Sequence, residues 1–189
     1  IGTITQKGET TWSGGKATVE LETGDSGYDI EYKINDGEWT KYEGPIGNLN
    51  HGDKITARLT NDVTVGDEVV IEVKDEKGPV VAVTPGGTTT ESVTVNVVAD
   101  DMETGMSDTV TYTYYIKETS QPEESYTAPD DAQNITTNSY TFTGLTQGTS
   151  YDVKVEVQGD KAGNVGVGTV QNQRTDMVPG AGDNLEEGN

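Results

Sequence analysis

The sequence predicts an all-β protein made of two antiparallel β-sandwiches in tandem, and three observations carry that expectation. The first is the kind of residue used: 21 Val, 29 Thr and 24 Gly stand against 5 Leu and 8 Ala. Branched side chains lose rotamer freedom in helices but pack well on a pleated surface, and glycine supplies turn conformations. The second is periodicity, since apolar residues alternate at period two in short runs bounded by Gly, Asp, Asn and Pro, with no helical period between them. The third is a polar, proline-ended break in the middle of the chain that separates the runs into two sets.

The first set begins with Ala17–Leu21 and continues through Tyr28–Ile34, Glu38–Tyr42, Lys54–Leu59 and Val69–Val73. Asn35-Asp36-Gly37 lies between the second and third runs, and residues that tolerate positive φ at that spacing predict a hairpin. Gly44-Pro45 and Asn50-His51-Gly52-Asp53 read as further turns. After Val73 the chain is polar over Lys74-Asp75-Glu76-Lys77-Gly78 and reaches Pro79, which cannot donate to a sheet ladder. The first domain is therefore expected over residues 1–78.

The second set is more regular. Val93, Val95, Val97 and Ala99 share a face, followed by Val110, Tyr112, Tyr114 and Ile116, then Tyr140 and Phe142, then Tyr151, Val153, Val155 and Val157. Polar partners occupy the alternate positions, as a half-solvated antiparallel sheet requires. The second domain is expected over residues 79–175. Residues 176–189 carry four acids, no base and almost nothing apolar, and read as a flexible acidic linker or tail. Asn184–Asn189 also reads as the lead-in to another strand, which suits one period of a longer array.

Two segments carry a family resemblance. Ser139–Val157 contains Leu145, Gly148, Thr149 and Tyr151 in the places where a fibronectin type III domain ends one strand, turns, and begins the next with a corner tyrosine. The resemblance implies that the Tyr151 hydroxyl bonds back to the turn backbone, and Ser92–Val97 resembles that family's second strand. Gln147 stands where the family often has Pro, and Val97 where a core Trp is common. Residues 1–78 are similar to the immunoglobulin-like modules of large bacterial surface proteins, through Trp12 and the hairpin Asp36-Gly37-Glu38-Trp39-Thr40-Lys41-Tyr42. Modules of both kinds occur in strings on secreted or wall-anchored proteins, so the resemblance implies an extracellular, secreted or cell-surface location.

Charge and inventory narrow the chemistry. With 33 acidic against 12 basic residues the net charge is -21, and a polyanion with scattered lysines repels phosphate backbones and anionic lipid, so no nucleic-acid partner is expected. No stretch approaches the roughly 18 apolar residues that span a bilayer. Without cysteine there is no disulfide, thiolate nucleophile or thiolate metal site. The single histidine, His51, lies in a turn with no nucleophile-elbow serine anywhere, so no enzyme activity and no catalytic residue is expected. Trp12, Trp39 and Tyr42 invite a sugar-stacking reading, but alternation sends Trp39 to the core side with Tyr28, Ile30, Tyr32 and Ile34. Tyr115 breaks its strand's alternation and is expected to face outward. An intramolecular lysine crosslink is not expected, because Lys16, Lys33 and Lys154 fall on outward positions.

The expected role is a non-catalytic spacer or stalk segment of a secreted or surface-anchored bacterial protein, monomeric, with neighbouring modules of the same chain as its partners. Two other readings stay open: an adhesin or carbohydrate-binding module taking a host protein or glycan, and an accessory module of an extracellular glycosidase. No cofactor is required. One metal site is expected, where the loop after the second strand of the fibronectin-like domain meets its last hairpin; Asp100, Asp101, Glu103 and Asp160 would there offer hard oxygen ligands to calcium.

Overall fold

The computed structural model describes residues 1–179, and residues 180–189, with the expectations placed on 184–189, lie outside it. The described chain is all-β, with two single-turn 3-10 segments at Glu123–Ser125 and Asp130–Ala132. It divides into two units: residues 1–77 together with 101–105, and residues 78–100 together with 106 onward.

The first unit contains β1 (Ile4–Gln6), β2 (Thr11–Ser13), β3 (Lys16–Val19), β4 (Leu21–Thr23), β5 (Asp29–Ile34), β6 (Thr40–Lys41), β7 (Ile46–Leu49), β8 (Lys54–Thr60) and β9 (Val69–Glu72). A four-stranded sheet in the order β6-β5-β8-β9 is accompanied by the sheet β2-β3-β7 and the pair β1-β4, all antiparallel. Ala17, Val19, Leu21, Ile30, Ile46, Leu49, Ile55, Ala57, Leu59 and Val73 fill the space between them. The Asn35–Gly37 hairpin is present: Asn35 has φ 51° and the Gly37 N–H donates to the Ile34 carbonyl at 2.9 Å. β7 escaped the alternation test because its buried residues, Ile46 and Leu49, stand three apart, spanning a register shift against β3 and Asn48 at φ 58°.

The second unit contains β10 (Val80–Thr88), β11 (Val93–Asp100), β12 (Met106–Glu118), β13 (Ser139–Phe142), β14 (Ser150–Asp160) and β15 (Val165–Arg174). Sheets β10-β11-β13 and β12-β14-β15 face each other across Val93, Val95, Val97, Tyr114, Phe142, Tyr151, Val153, Val155 and Val157. The corner is formed as the resemblance implies: the Tyr151 hydroxyl accepts the Thr146 N–H at 3.0 Å, and Gly148 takes φ 60°. Alternation of β15 is inverted, with Gly166 and Gly168 buried and Val165 and Val167 exposed. The glycines permit close backbone approach, since a Cβ on Gly168 would stand 2.6 Å from the Val81 carbonyl oxygen and one on Gly166 would collide with that of Pro79. The start of β10 thus runs beside β15 in the same direction, and the seam continues to its far end, where the Asp176 N–H donates to Thr89 O at 2.9 Å.

Candidate functional site

Beyond β9, the turn at 50–53 holds the departing chain of the first unit. The Gly52 N–H donates to Val73 O at 2.7 Å, the Val73 N–H to Asp53 O at 2.8 Å, and the Asp75 N–H to His51 Nδ1 at 2.9 Å. His51 is exposed, as a turn residue, yet it also fixes the backbone of Asp75. The Asp75 side chain is buried; its Oδ1 accepts the Lys77 N–H, and its Oδ2 lies 2.6 Å from Thr104 Oγ1 and 3.3 Å from the Thr104 N–H donor.

Residues 101–105 link β11 to β12 but belong to the first unit, whereas a division by sequence order leaves them with the second. The bonds just described are the reason. Asp101 turns its Oδ2 onto the Gly105 N–H at 2.7 Å, with Thr104 Oγ1 at 3.0 Å, and Gly105 takes φ 84°. The result is a carboxylate group: Asp75, Asp101 and Glu103 each offer a ligand oxygen, all within 4.8 Å of one another.

One oxygen of this group lacks a donor. Thr104 has one hydroxyl hydrogen and two carboxylate oxygens within bonding distance of it, so it can serve only one of them. Asp101 Oδ1 is buried and has no hydrogen-bond partner. The nearest ammonium to Glu103, that of Lys77, is 3.9 Å away on a side chain 76% exposed. Two carboxylates at such a separation repel by on the order of 3 kcal/mol at an effective dielectric of 20. Burial, then Asp101 through hydrogen bonding to the protonated form and through its charge, then the charge of Asp75, push the Glu103 carboxyl above its ordinary range, against a smaller opposing pull from Lys77.

Of the four residues expected to bind metal, Asp101 and Glu103 are brought together. Asp100 is exposed at the end of β11, opposite Val80. Asp160 closes the β14–β15 hairpin: its Oδ1 accepts the Asn164 N–H at 2.7 Å and its Oδ2 the Asn164 side-chain amide at 3.1 Å. Asp75 was passed over because its segment reads as a polar linker; the signal for it is tertiary, residing in the His51 and Thr104 contacts.

Elsewhere the aromatic expectation is corrected in part. Trp12 and Tyr42 pack against the first core, and the Tyr42 hydroxyl accepts the Leu21 N–H at 3.0 Å. Trp39 does not join that core. Pairing of Tyr32 with Thr40 puts Trp39 on the outer face, where the Arg58 guanidinium sits 3.8 Å from the ring centroid and the Lys33 ammonium 5.0 Å. Arg58 is in turn held by Glu31 at 2.9 Å, so the indole is occupied by the protein's own cations. Tyr115 is part-buried, donating to Glu156 Oε2 at 3.2 Å.

Lys117, not considered among the lysines above, is buried. Its ammonium meets Asp152 Oδ2 at 3.1 Å and donates to the Gln121 carbonyl at 2.9 Å. Burial acts to raise the Asp152 carboxyl, but the Thr119 hydroxyl, the Asn172 N–H and Lys117 together outweigh it and hold the group below its ordinary range.

No family model matches the chain, and no curated protein matches it. Among solved structures it is similar to titin domains A168–A170, at 12% identity and a TM-score of 0.39, over 87% of this chain and 59% of that one. The chain therefore spans about three-fifths of that titin segment.

Proposed function

We propose that this chain is a non-catalytic spacer, a stalk segment of a secreted or surface-anchored bacterial protein. The observation that carries the reading is where the chain enters and leaves each unit. In the second unit, Gly78 and Pro79 lie against Val165 and Gly166, while Asp176 lies against Thr88 and Thr89 at the other end of the β10–β15 seam. The nine residues of β10 separate the two ends by roughly 30 Å at about 3.3 Å per residue. In the first unit, Ile1–Ile4 lie with Leu59 and Val65–Val69, whereas Val73 leaves beside Asp53, at the opposite end of β8. Each unit is thus threaded from pole to pole, which is what a module in a string requires. The surface acidity, net -21, favours solubility and separation from neighbouring strings.

The test is single-molecule stretching of the chain held by its two ends. Two discrete unfolding events are expected, releasing about 25 nm and about 30 nm of chain at ~3.6 Å per residue. Smooth extension with no discrete event would sink the spacer reading.

A further inference from the structure

We propose that Asp75, Asp101 and Glu103 form a divalent-cation site of the first unit, selective for Ca²⁺ over Mg²⁺. Acidic residues gather readily in a chain of this composition, so their proximity alone does not carry the assignment. One independent feature does. Asp101 is 6% exposed, and its Oδ1 is buried without any hydrogen-bond partner, although buried carboxylate oxygens ordinarily find one. The Thr104 hydroxyl bridges Asp75 Oδ2 and Asp101 Oδ2 at 2.6 and 3.0 Å, and the Thr104 and Gly105 N–H groups reach the same two oxygens, so the deficit lies at Asp101 Oδ1. A cation coordinated by the carboxylates would supply its partner.

The donor set favours calcium. Ca²⁺ accepts several protein carboxylates in flexible geometry, whereas Mg²⁺ dehydrates reluctantly and is usually held through one or two; here three carboxylates converge, with Asp75 and Asp101 buried. Three carboxylates also leave coordination positions for water, and Asp75 and Glu103 line an open cleft with Glu9 and Glu76 through which an ion can arrive. The bound ion would pin residues 101–105 to the 73–77 segment, replacing carboxylate repulsion with shared coordination.

Both tryptophans, Trp12 and Trp39, lie in the first unit, so tryptophan fluorescence follows its melting within the intact chain. With EDTA replaced by Ca²⁺ at 100 times its dissociation constant, at fixed ionic strength, the fluorescence midpoint should rise by about 10 °C. Mg²⁺ at the same concentration should produce a clearly smaller rise. Asp101→Asn should abolish the Ca²⁺ response while raising the midpoint in EDTA, because one repelling charge is gone. Glu103→Gln, at the more exposed edge, serves as a second variant with the same pair of signs. The proposal is overturned by an identical wild-type midpoint in EDTA and in millimolar Ca²⁺, by equal responses to Ca²⁺ and Mg²⁺, or by a Ca²⁺ response that survives both substitutions. A midpoint that responds to pH alone would also overturn it, assigning the unpartnered Asp101 oxygen to a shared proton.

Discussion

The two units build their cores differently. The first assembles its core from short strands, none longer than the seven residues of β8, and its fully buried side chains are Leu, Ile, Val and Ala. The second uses strands of up to 13 residues and buries a ladder of aromatics: Tyr112, Tyr114, Tyr140 and Phe142, with successive centroids 6.3, 5.2 and 4.8 Å apart. Aromatics fill more volume per residue, but each tyrosine brings a hydroxyl that must be satisfied. The loop 119–138 does part of that work. The Tyr114 hydroxyl donates to Thr137 O at 2.7 Å, and the Tyr140 hydroxyl to Asp131 Oδ1 at 2.6 Å. Burial and the Asp131 carboxylate push the Tyr140 phenol up to about 12. The first unit instead satisfies its backbone at turns with short Asn and Asp side chains, as Asp53 does for Asn50 and Asn61 for Val63 and Thr64. A sandwich with long strands can thus carry polar groups into its interior, provided a covering loop supplies their partners.

The sharpest way to break this contrast is to remove a covered charge. Lys117→Met leaves Asp152 buried without its ammonium, and the second unit should lose about 3–5 kcal/mol. Chemical denaturation followed by tyrosine circular dichroism should show that loss, with the tryptophan-reported transition of the first unit unmoved. A loss below 1 kcal/mol would mean that solvent reaches Asp152.

A matched pair of substitutions gives a smaller effect. The Tyr42 and Tyr151 hydroxyls each accept one backbone N–H, from Leu21 and Thr146 respectively. The donor to Tyr42, Leu21, is buried, whereas the donor to Tyr151 belongs to the exposed Thr146, so Tyr42→Phe strands its donor away from water, at about 1–3 kcal/mol. Tyr151→Phe should cost under about 1 kcal/mol, because water can replace the hydroxyl at Thr146. Equal costs would show that burial of the donor does not decide the loss.

The smallest effect is in pH dependence, where Glu103 and Asp152 should differ in sign. Glu103 is raised in the folded state, so in EDTA this group binds more protons folded than unfolded; its contribution favours folding at low pH and is lost as pH rises from the ordinary 4.5 through the raised value. Asp152 is lowered, so its contribution is present above 3.8 and is lost as pH falls through the depressed value. Stability of wild type and Glu103→Gln, compared by tryptophan fluorescence between pH 4.5 and 7, should diverge as pH rises, with the wild type losing ground. Parallel curves would remove Glu103 from the account.

Much of the second unit was legible from its alternation, because β11, β12 and β14 bury one face against the opposite sheet and expose the other. β15 was not, since the positions it buries are glycines, which no hydrophobic pattern marks; their reason is backbone proximity to β10. Trp39 was misplaced because one residue of hairpin register decides its face, and the sequence does not reveal that Thr40 pairs with Tyr32. Of the carboxylate group, two members stood in one acidic loop and could be seen together. Asp75 lies 26 residues earlier than Asp101 by its number, in a stretch whose composition is that of a linker, and only the folded chain brings it to Thr104.

The five-residue loop 101–105 also bears on the order in which the molecule can be completed. Synthesis runs from the amino end, so when residue 77 emerges the first unit still lacks a piece of itself. Asp75 has no Thr104 to bond until β10 and β11, elements of the other unit, have been translated. A nascent chain paused before residue 101 would therefore hold a first unit whose last turn is unfinished. A gene fragment cut at residue 78 would encode that same unfinished state permanently, with Asp75 left without its Thr104 partner.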